Sequence, residues 1–520
     1  MRPILLLGLI AALLSGCAAL PPRAPVAPQH ALADVGDTPL ARIAAASLAD
    51  DPAAPSGFRL LPEGEGSFNA RIALMRRATR SIDAQYYYLG PDEIGLAFLR
   101  ELRDAAARGV RVRLIVDDLY TATTDTLLAA LAAHANVQVR AFNPLPARGN
   151  SFGRRLLFSL HELSRINHRM HNKLLVADNR FAVSGGRNIG NEYFMRSAEA
   201  NFIDLDVLSA GAVVQQFSAI FDNYWNSEQV WPIGQLAGVG TPPEAARAHF
   251  DERVRRAPAG LDEREQDVLG AAPLAQQLDA GRVGLVAARA RAFADTPAKA
   301  AGLKGEAATH TVTEQTLALF AQAREQVNLV SPYFIPGQRG MALIRAVGAT
   351  QENGRISLVT TALGATDEPL VHAGYARYRE EMLRAGVRIY EVSPTLTRRS
   401  QRLGNFGRSL GRLHAKVAII DHRTVFIGSM NLDARSAYFN TEIGLAIESP
   451  ELAAQLTRLF RDGVAGASYR LRLGAGGSGV EWLETEPDGH LTVHTREPDD
   501  GVLLRLKQWL LAPFVSDELL

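Results

Sequence analysis

Apolar and polar residues change their spacing along this chain in an order that occurs twice. Residues 68–79 carry apolar side chains at helical spacing and predict a helix. It leads into "SIDAQYYYLG" (81–90), whose alternation predicts a strand. The amphipathic, charged "LAFLRELRDAAARG" (96–109) follows, then the β-rich "VRVRLIVDD" (110–118) and a shorter strand in "ANVQVRAFNP" (135–144). The same order returns in the second half. "TEQTLALFAQARE" (313–325) reads as helix, "VNLVSPYFIPG" (327–337) and "GRISLVTTALG" (354–364) as strands, "AGYARYREEMLRAG" (373–386) as helix and "VRIYEVSP" (387–394) as strand. Strands alternating with covering helices predict an α/β fold of mixed sheets, and the repeat predicts two similar lobes. Its period is far too long for a solenoid.

With 520 residues the chain exceeds one ordinary core, which fits a duplicated body. The expected first domain spans 63–235 and the second 313–465, with 466–520 as a C-terminal extension. Between them, 236–312 is weakly patterned, and "RARAFADTPAKAAGLKG" (289–305) reads as a loop-rich connector. A net charge of +1 argues against a protein that coats polyanions. The single cysteine excludes an intramolecular disulfide and a Cys-based zinc site.

That cysteine ends "MRPILLLGLIAALLSGC", in which an early arginine precedes an apolar run from Ile4 to Leu14. The run is short for a hydrocarbon core roughly 30 Å thick and reads as an export signal, residues 1–16. "LSGC" resembles a bacterial lipobox, which implies lipid modification of Cys17 and a proline-rich flexible tether over 17–62. The expected location is a membrane-anchored lipoprotein facing the periplasm, on the outer membrane in a Gram-negative cell.

Candidate chemistry lies in "HNKLLVAD" (171–178) and "HAKVAIID" (414–421), two copies of His-x-Lys-x-x-x-x-Asp. In a strand, His171 and Lys173 share a face, as do His414 and Lys416. The chain has five lysines against 51 arginines, and two of the five stand two residues after a histidine. Each motif continues at equal spacing into a Gly/Asn tail, Gly185, Gly186 and Asn188 in one half and Gly428, Ser429 and Asn431 in the other. The glycines, Gly186 among them, are expected to let backbone approach a ligand, Asn188 and Asn431 to donate to an oxyanion, and Ser429 to join them in binding or supporting the phosphate. Two imidazoles with two ammonium groups suit a phosphodiester. The lysines bind its non-bridging oxygens, one histidine attacks phosphorus, and the other moves the alcohol proton. No metal or other cofactor is expected. A carboxylate should orient each imidazole, and candidates follow each motif: Asp204 or Asp206 in "NFIDLDVLS", and Glu442 in "FNTEIGLAI". Asp178 and Asp421 complete the motifs and are expected to bond turn amides rather than move protons.

Paired motifs with these tails resemble the phospholipase D superfamily. "RMHNKLLVADNRFAVSGGRNIGNEYF", "VHAGYARYREEMLRAGVRIYE" and "FIGSMNLDARSAYFNTEIGLAIES" are similar to its cardiolipin synthase C subgroup. The resemblance implies one active site shared between two lobes, with His171 as nucleophile and His414 as acid/base. The two motifs are alike in spacing, so that order comes from the resemblance. It also implies transfer of a phosphatidyl group onto phosphatidylglycerol, with phosphatidylethanolamine or phosphatidylglycerol as donor. Many cardiolipin synthases have N-terminal membrane spans, whereas this chain begins with an apparent lipoprotein signal.

A lipid substrate calls for membrane contact and no nucleic-acid partner. "SFGRRLLFSLHELSRINHR" (151–169) mixes Arg154, Arg155, Arg165 and Arg169 with Phe152, Leu157 and Phe158, and "RRSQRLGNFGRSLGR" (398–412) is basic. Both are expected to meet anionic headgroups. "GVLLRLKQWLLAPFVSDELL" (501–520) is a candidate interfacial helix, with packing on the core as the competing reading. The alternatives in function are a hydrolase releasing phosphatidic acid and a superfamily nuclease.

Overall fold

The computed structural model describes residues 20–48, 51–149, 151–302, 310–348, 355–399, 404, 406–464, 466–486, 488–499 and 501. The first half contributes β1 (Ser56–Leu61), β2 (Ser81–Tyr86), β3 (Arg111–Asp117), β4 (Val137–Phe142), β5 (Lys173–Ala177), β6 (Phe181–Gly185), β7 (Ala200–Ile203), β8 (Asp206–Gly211) and β9 (Val230–Pro232). After β10 (Val286–Ala294), the second half contributes β11 (Val327–Val330), β12 (Ile356–Thr361), β13 (Arg388–Val392), β14 (Leu410–Leu413), β15 (Val417–Ile420), β16 (Thr424–Gly428) and β17 (Ile443–Glu448). Then come β18 (Ser468–Leu473), β19 (Val480–Thr485) and β20 (Leu491–His494).

β2, β3 and β4 run parallel and are buried on both faces, their alternate polar residues being paired inside, as Arg113 is with Asp83 at 2.6 Å. The helix Glu93–Ala107 crosses from β2 to β3. It starts at Asp92, whose carboxylate accepts the Gly95 amide at 2.9 Å, and ends before Gly109, where φ is 92°. Antiparallel β5, β6, β8 and β1 extend this sheet on one side and β9 on the other. The second half repeats the plan. β11, β12 and β13 run parallel, β15, β16 and β17 add antiparallel, and β18 to β20 widen the far edge.

The stretch expected to be a loop-rich connector contains the strand that joins the halves. Val286–Ala288 pair with Ser56–Phe58, and Arg289–Ala294 pair with Ile443–Glu448, so β10 passes from one sheet to the other. The result is one continuous 18-stranded sheet. Its sequence, VAARARAFA, is rich in alanine and poor in β-branched residues, so propensity hides a strand that tertiary pairing stabilises. The expected tether is shorter than 17–62. Pro39–Ser47 form a helix capped by Thr38, and β1 is buried against β8. Cys17, the signal segment and residues 502–520 lie outside the described residues.

Three apolar clusters fill the body. One belongs to the first half and one to the second. The third lies between them and combines Leu174, Val176 and Val207 with Val417, Ile419 and Ile427. Above it β7 and β14 pair in parallel across the halves, with Ile203 opposite Leu413. This seam brings the two motifs together.

Candidate active site

Each histidine sits in extended chain just before its strand and is pinned by the opposite half. The amide of His171 donates to the Thr441 carbonyl at 2.8 Å, and Thr441 returns a bond to the Arg169 carbonyl at 2.9 Å. His414 donates to the Ile203 carbonyl at 2.8 Å. Asp117, at the end of β3, fixes the approach to His171 by accepting the Met170 amide and the Arg169 guanidinium, both at 2.8 Å.

These pairings place the acids crosswise. His171 Nδ1 lies 3.0 Å from Glu442 Oε2, and His414 Nδ1 lies 2.6 Å from Asp204 Oδ2. Each carboxylate therefore serves the histidine of the other half rather than the motif it follows. Asp206 points elsewhere, into a buried cluster with Ser67 (2.7 Å), Arg71 (3.0 Å) and Arg187 (3.4 Å). An imidazole held through Nδ1 keeps Nε2 on the far side of its ring, free to meet a substrate.

The lysines are buried beside these rings. Lys173 Nζ donates to the His171 carbonyl at 2.6 Å, and Lys416 makes the same bond to the carbonyl of His414. Burial and the mutual repulsion of the two ammonium groups push Lys173 well below its usual range. Burial lowers Lys416 to about 8. Burial also lowers His171 to about 4, helped by the charges of Lys173 and Lys416 and opposed by Glu442. His414 is lowered by burial and then by Lys416. Burial pushes Asp204 upward, yet His414 and Lys416 outweigh it and hold the carboxylate at about 2. Glu442 is likewise held down by His171 and Lys173 against its burial. The site is thus a pair of buried amines whose charge burial disfavours, beside two imidazoles lowered from their usual range, each backed by a carboxylate held low.

Most of the other motif residues make contacts within the protein. Asp178 and Asp421 stand in hairpin turns at the far ends of β5 and β15, with φ of 47° and 51°. Asp178 accepts the amides of Thr79, Arg80 and Ser81, and Asp421 those of Arg324, Glu325 and Gln326. A strand's length away, neither reaches a histidine. Gly186 makes room for the carboxylate, since a Cβ there would lie 2.1 Å from Asp204 Oδ1. The equivalent Ser429 donates its hydroxyl to Glu442. Both tails thus adjoin the acid that orients a histidine. Asn188 is occupied within the protein, accepting from the Tyr88 amide at 3.1 Å and donating to the Tyr193 hydroxyl at 2.9 Å. Asn431 keeps a buried amide oxygen without a partner and faces an open cleft of about 1090 Å³.

Several contributors escaped the sequence reading. Asp295 accepts the Glu442 amide at 2.9 Å and the Lys299 ammonium at 2.8 Å, so the connector braces the acid of His171. Lys299 is another of the chain's rare lysines, the one signal that pointed to it. Tyr87 meets the His171 ring edge-on at 5.0 Å, and Phe202 and Tyr193 flank His414 at 4.8 and 5.3 Å. The arginines expected at a membrane are partly turned inward. Arg155 is buried against Asp125 and Asp118, and Arg169 against Asp117. Part of the second basic stretch, residues 400–403 and 405, lies outside the described residues. Among the described residues, no group of three or more His, Cys, Asp or Glu side chains is arranged to hold a metal. None of their helices is long and apolar enough to cross a membrane.

The family described as "Cardiolipin synthase, PLD-like domain" matches the chain twice, over residues 72–225 and 316–463. Cardiolipin synthase C of Escherichia coli (strain K12) is 36% identical over 471 residues, covering 88% of this chain and 96% of that protein. Cardiolipin synthase A of Pseudomonas fluorescens is 26% identical, covering 77% and 67%. Among solved structures, the phosphatidylserine synthase of Haemophilus influenzae Rd KW20 superposes with a TM-score of 0.57 at 14% identity, covering 94% of this chain and all of that one.

Proposed function

The chain belongs to the cardiolipin synthase family of phospholipase D-like enzymes, and from that premise we propose that it forms cardiolipin by moving a phosphatidyl group onto phosphatidylglycerol through a covalent phosphohistidine. The observation that carries the reading is the crosswise pair of histidines, each backed by a carboxylate through Nδ1, beside two buried lysines. Neutral His171 has its Nε2 lone pair available to attack phosphorus. As the N–P bond forms, the P–O bond to the headgroup alcohol breaks, and His414 gives that oxygen a proton. A bound phosphodiester anion favours the protonated form of His414 that this step needs. The acceptor hydroxyl of phosphatidylglycerol then loses its proton to His414 and attacks phosphorus, breaking the N–P bond and restoring His171. Lys173 and Lys416 balance the charge on the non-bridging oxygens throughout.

The donor in this reading is phosphatidylethanolamine or a second phosphatidylglycerol. Residues 1–17 support an exported lipoprotein held to a membrane through Cys17, which would set the enzyme on the periplasmic side. Purified protein incubated with phosphatidylglycerol, with and without phosphatidylethanolamine, tests the proposal. Cardiolipin together with released ethanolamine or glycerol is the expected product. Phosphatidic acid alone would assign a hydrolase instead.

A further inference from the structure

We propose that Phe152–Leu163 is the surface by which the protein docks on a phospholipid bilayer, its apolar side chains entering the lipid beside the active-site mouth. This rests on the phospholipid substrate proposed above and adds how that substrate is reached. Phe152, Leu157, Phe158, Leu160 and Leu163 all face solvent within one short stretch, Leu157 at 61% and Leu163 at 58% exposure. Apolar side chains massed in this way mark a surface that is covered in use.

Two features identify the cover as a membrane. First, the stretch is anchored from below. Buried Arg155 is ion-paired with Asp118 and Asp125, and Arg169, just beyond, with Asp117. Two of the four arginines here, Arg155 and Arg169, are spent inside, Arg165 pairs at the surface with Glu162 at 3.5 Å, and exposed Arg154 remains among the apolar groups as a counter-charge for lipid phosphates. Second, the patch is continuous with the reacting group. Phe152 stacks on Tyr120 at 5.4 Å, Tyr120 meets Tyr87 at 5.5 Å, and Tyr87 meets His171 at 5.0 Å. On the other flank, exposed Tyr438 and half-buried His168 line the cleft that reaches Asn431. A second copy of the chain seated here would cover Tyr120 and the ring path to His171, whereas a bilayer seated here presents substrate to it.

The test uses the chain from residue 17 onward with Cys17→Ser, which lacks the apolar signal segment and any lipid anchor, and phosphatidylglycerol/phosphatidylcholine vesicles. Flotation should show binding by this protein and a loss of at least about a hundredfold in affinity for Leu157→Asp/Leu163→Asp, since each leucine leaving water is worth roughly a factor of ten or more. Turnover of monomeric dihexanoyl phospholipid should stay within about twofold, because these side chains touch none of the reacting groups. In a separate Leu157→Trp variant, lipids brominated on the acyl chain should quench the added fluorescence. Unchanged vesicle binding by the double variant, or no quenching, would overturn the proposal. So would a wild-type dimer that the double variant breaks without lipid, which would assign the patch to a second copy. Patch-dependent binding without turnover of any phospholipid would overturn the functional reading and leave the docking surface standing.

Discussion

His171 is held by Glu442, 271 positions further along the chain, at 3.0 Å from Nδ1 to Oε2. The mirror contact joins His414 to Asp204, 210 positions earlier. Neither half can therefore assemble an oriented histidine from its own sequence, and the duplication yields one site made of two exchanged pairs.

Glu442→Gln and Asp204→Asn keep the shape and remove the charge that fixes each imidazole. Each is expected to lower kcat on the order of 10²- to 10⁴-fold with little change in KM, as loss of an orienting carboxylate does elsewhere. Steady-state kinetics on a dispersed phospholipid would check it.

The roles of the histidines separate in a trapping experiment. With a phosphatidyl donor bearing a good leaving group, His414→Ala should accumulate a base-stable, acid-labile phosphoryl adduct, and His171→Ala should form none. An adduct on His171→Ala instead would reverse the assignment.

Gly186→Ala drives a methyl group into the space of Asp204 Oδ1, and Ser429→Ala removes a hydroxyl from Glu442. The glycine variant should lose activity more severely. The serine variant should fall about ten- to a hundredfold, the value of one hydrogen bond to a charged group. Comparison of kcat for the two variants decides it.

Asp178→Asn should act on stability rather than turnover. Its carboxylate is fully buried on three backbone amides, and weakening them is expected to cost about 1–3 kcal/mol in urea unfolding. Asp421→Asn weakens the equivalent bonds at a more exposed turn and should cost less.

Lys416 titrates at about 8 because burial disfavours its charge. Its ammonium is present below that pH and lost above it, so inhibition by inorganic phosphate should weaken as pH rises through about 8, approaching tenfold per unit. His171, lowered to about 4, is neutral above that value. Attack by His171 should therefore fail as pH drops toward 4, whereas the proton that His414 gives the leaving oxygen becomes scarcer as pH rises. A binding profile that stays flat from pH 7 to 10 would exclude Lys416 as the phosphate clamp.

The two motifs, their shared strand faces and the duplicated order of elements were legible because each depends on spacing within a few residues. The period of two puts His171 beside Lys173 on one face of a strand wherever that strand packs. Turn chemistry likewise pointed to the anchoring bonds of Asp178 and Asp421. The chain's composition also carried a hint that went unused, since Lys299 stands out among so many arginines and proves to brace Glu442 through Asp295.

What tertiary structure alone decided is what each face meets. Asp204 and Asp206 lie two apart in a local alternation that does not tell them apart, yet one holds His414 and the other a buried arginine cluster. β10 looks unlike a strand because its stability comes from the two edges it bridges, not from its alanines and arginines. Arg155 and Arg169 read as surface charge until the folded chain brings Asp117, Asp118 and Asp125 beneath them. Local sequence sets the direction of a side chain, but a partner two hundred residues away is chosen by the register between halves, which only the packed seam of β7, β14 and β10 establishes.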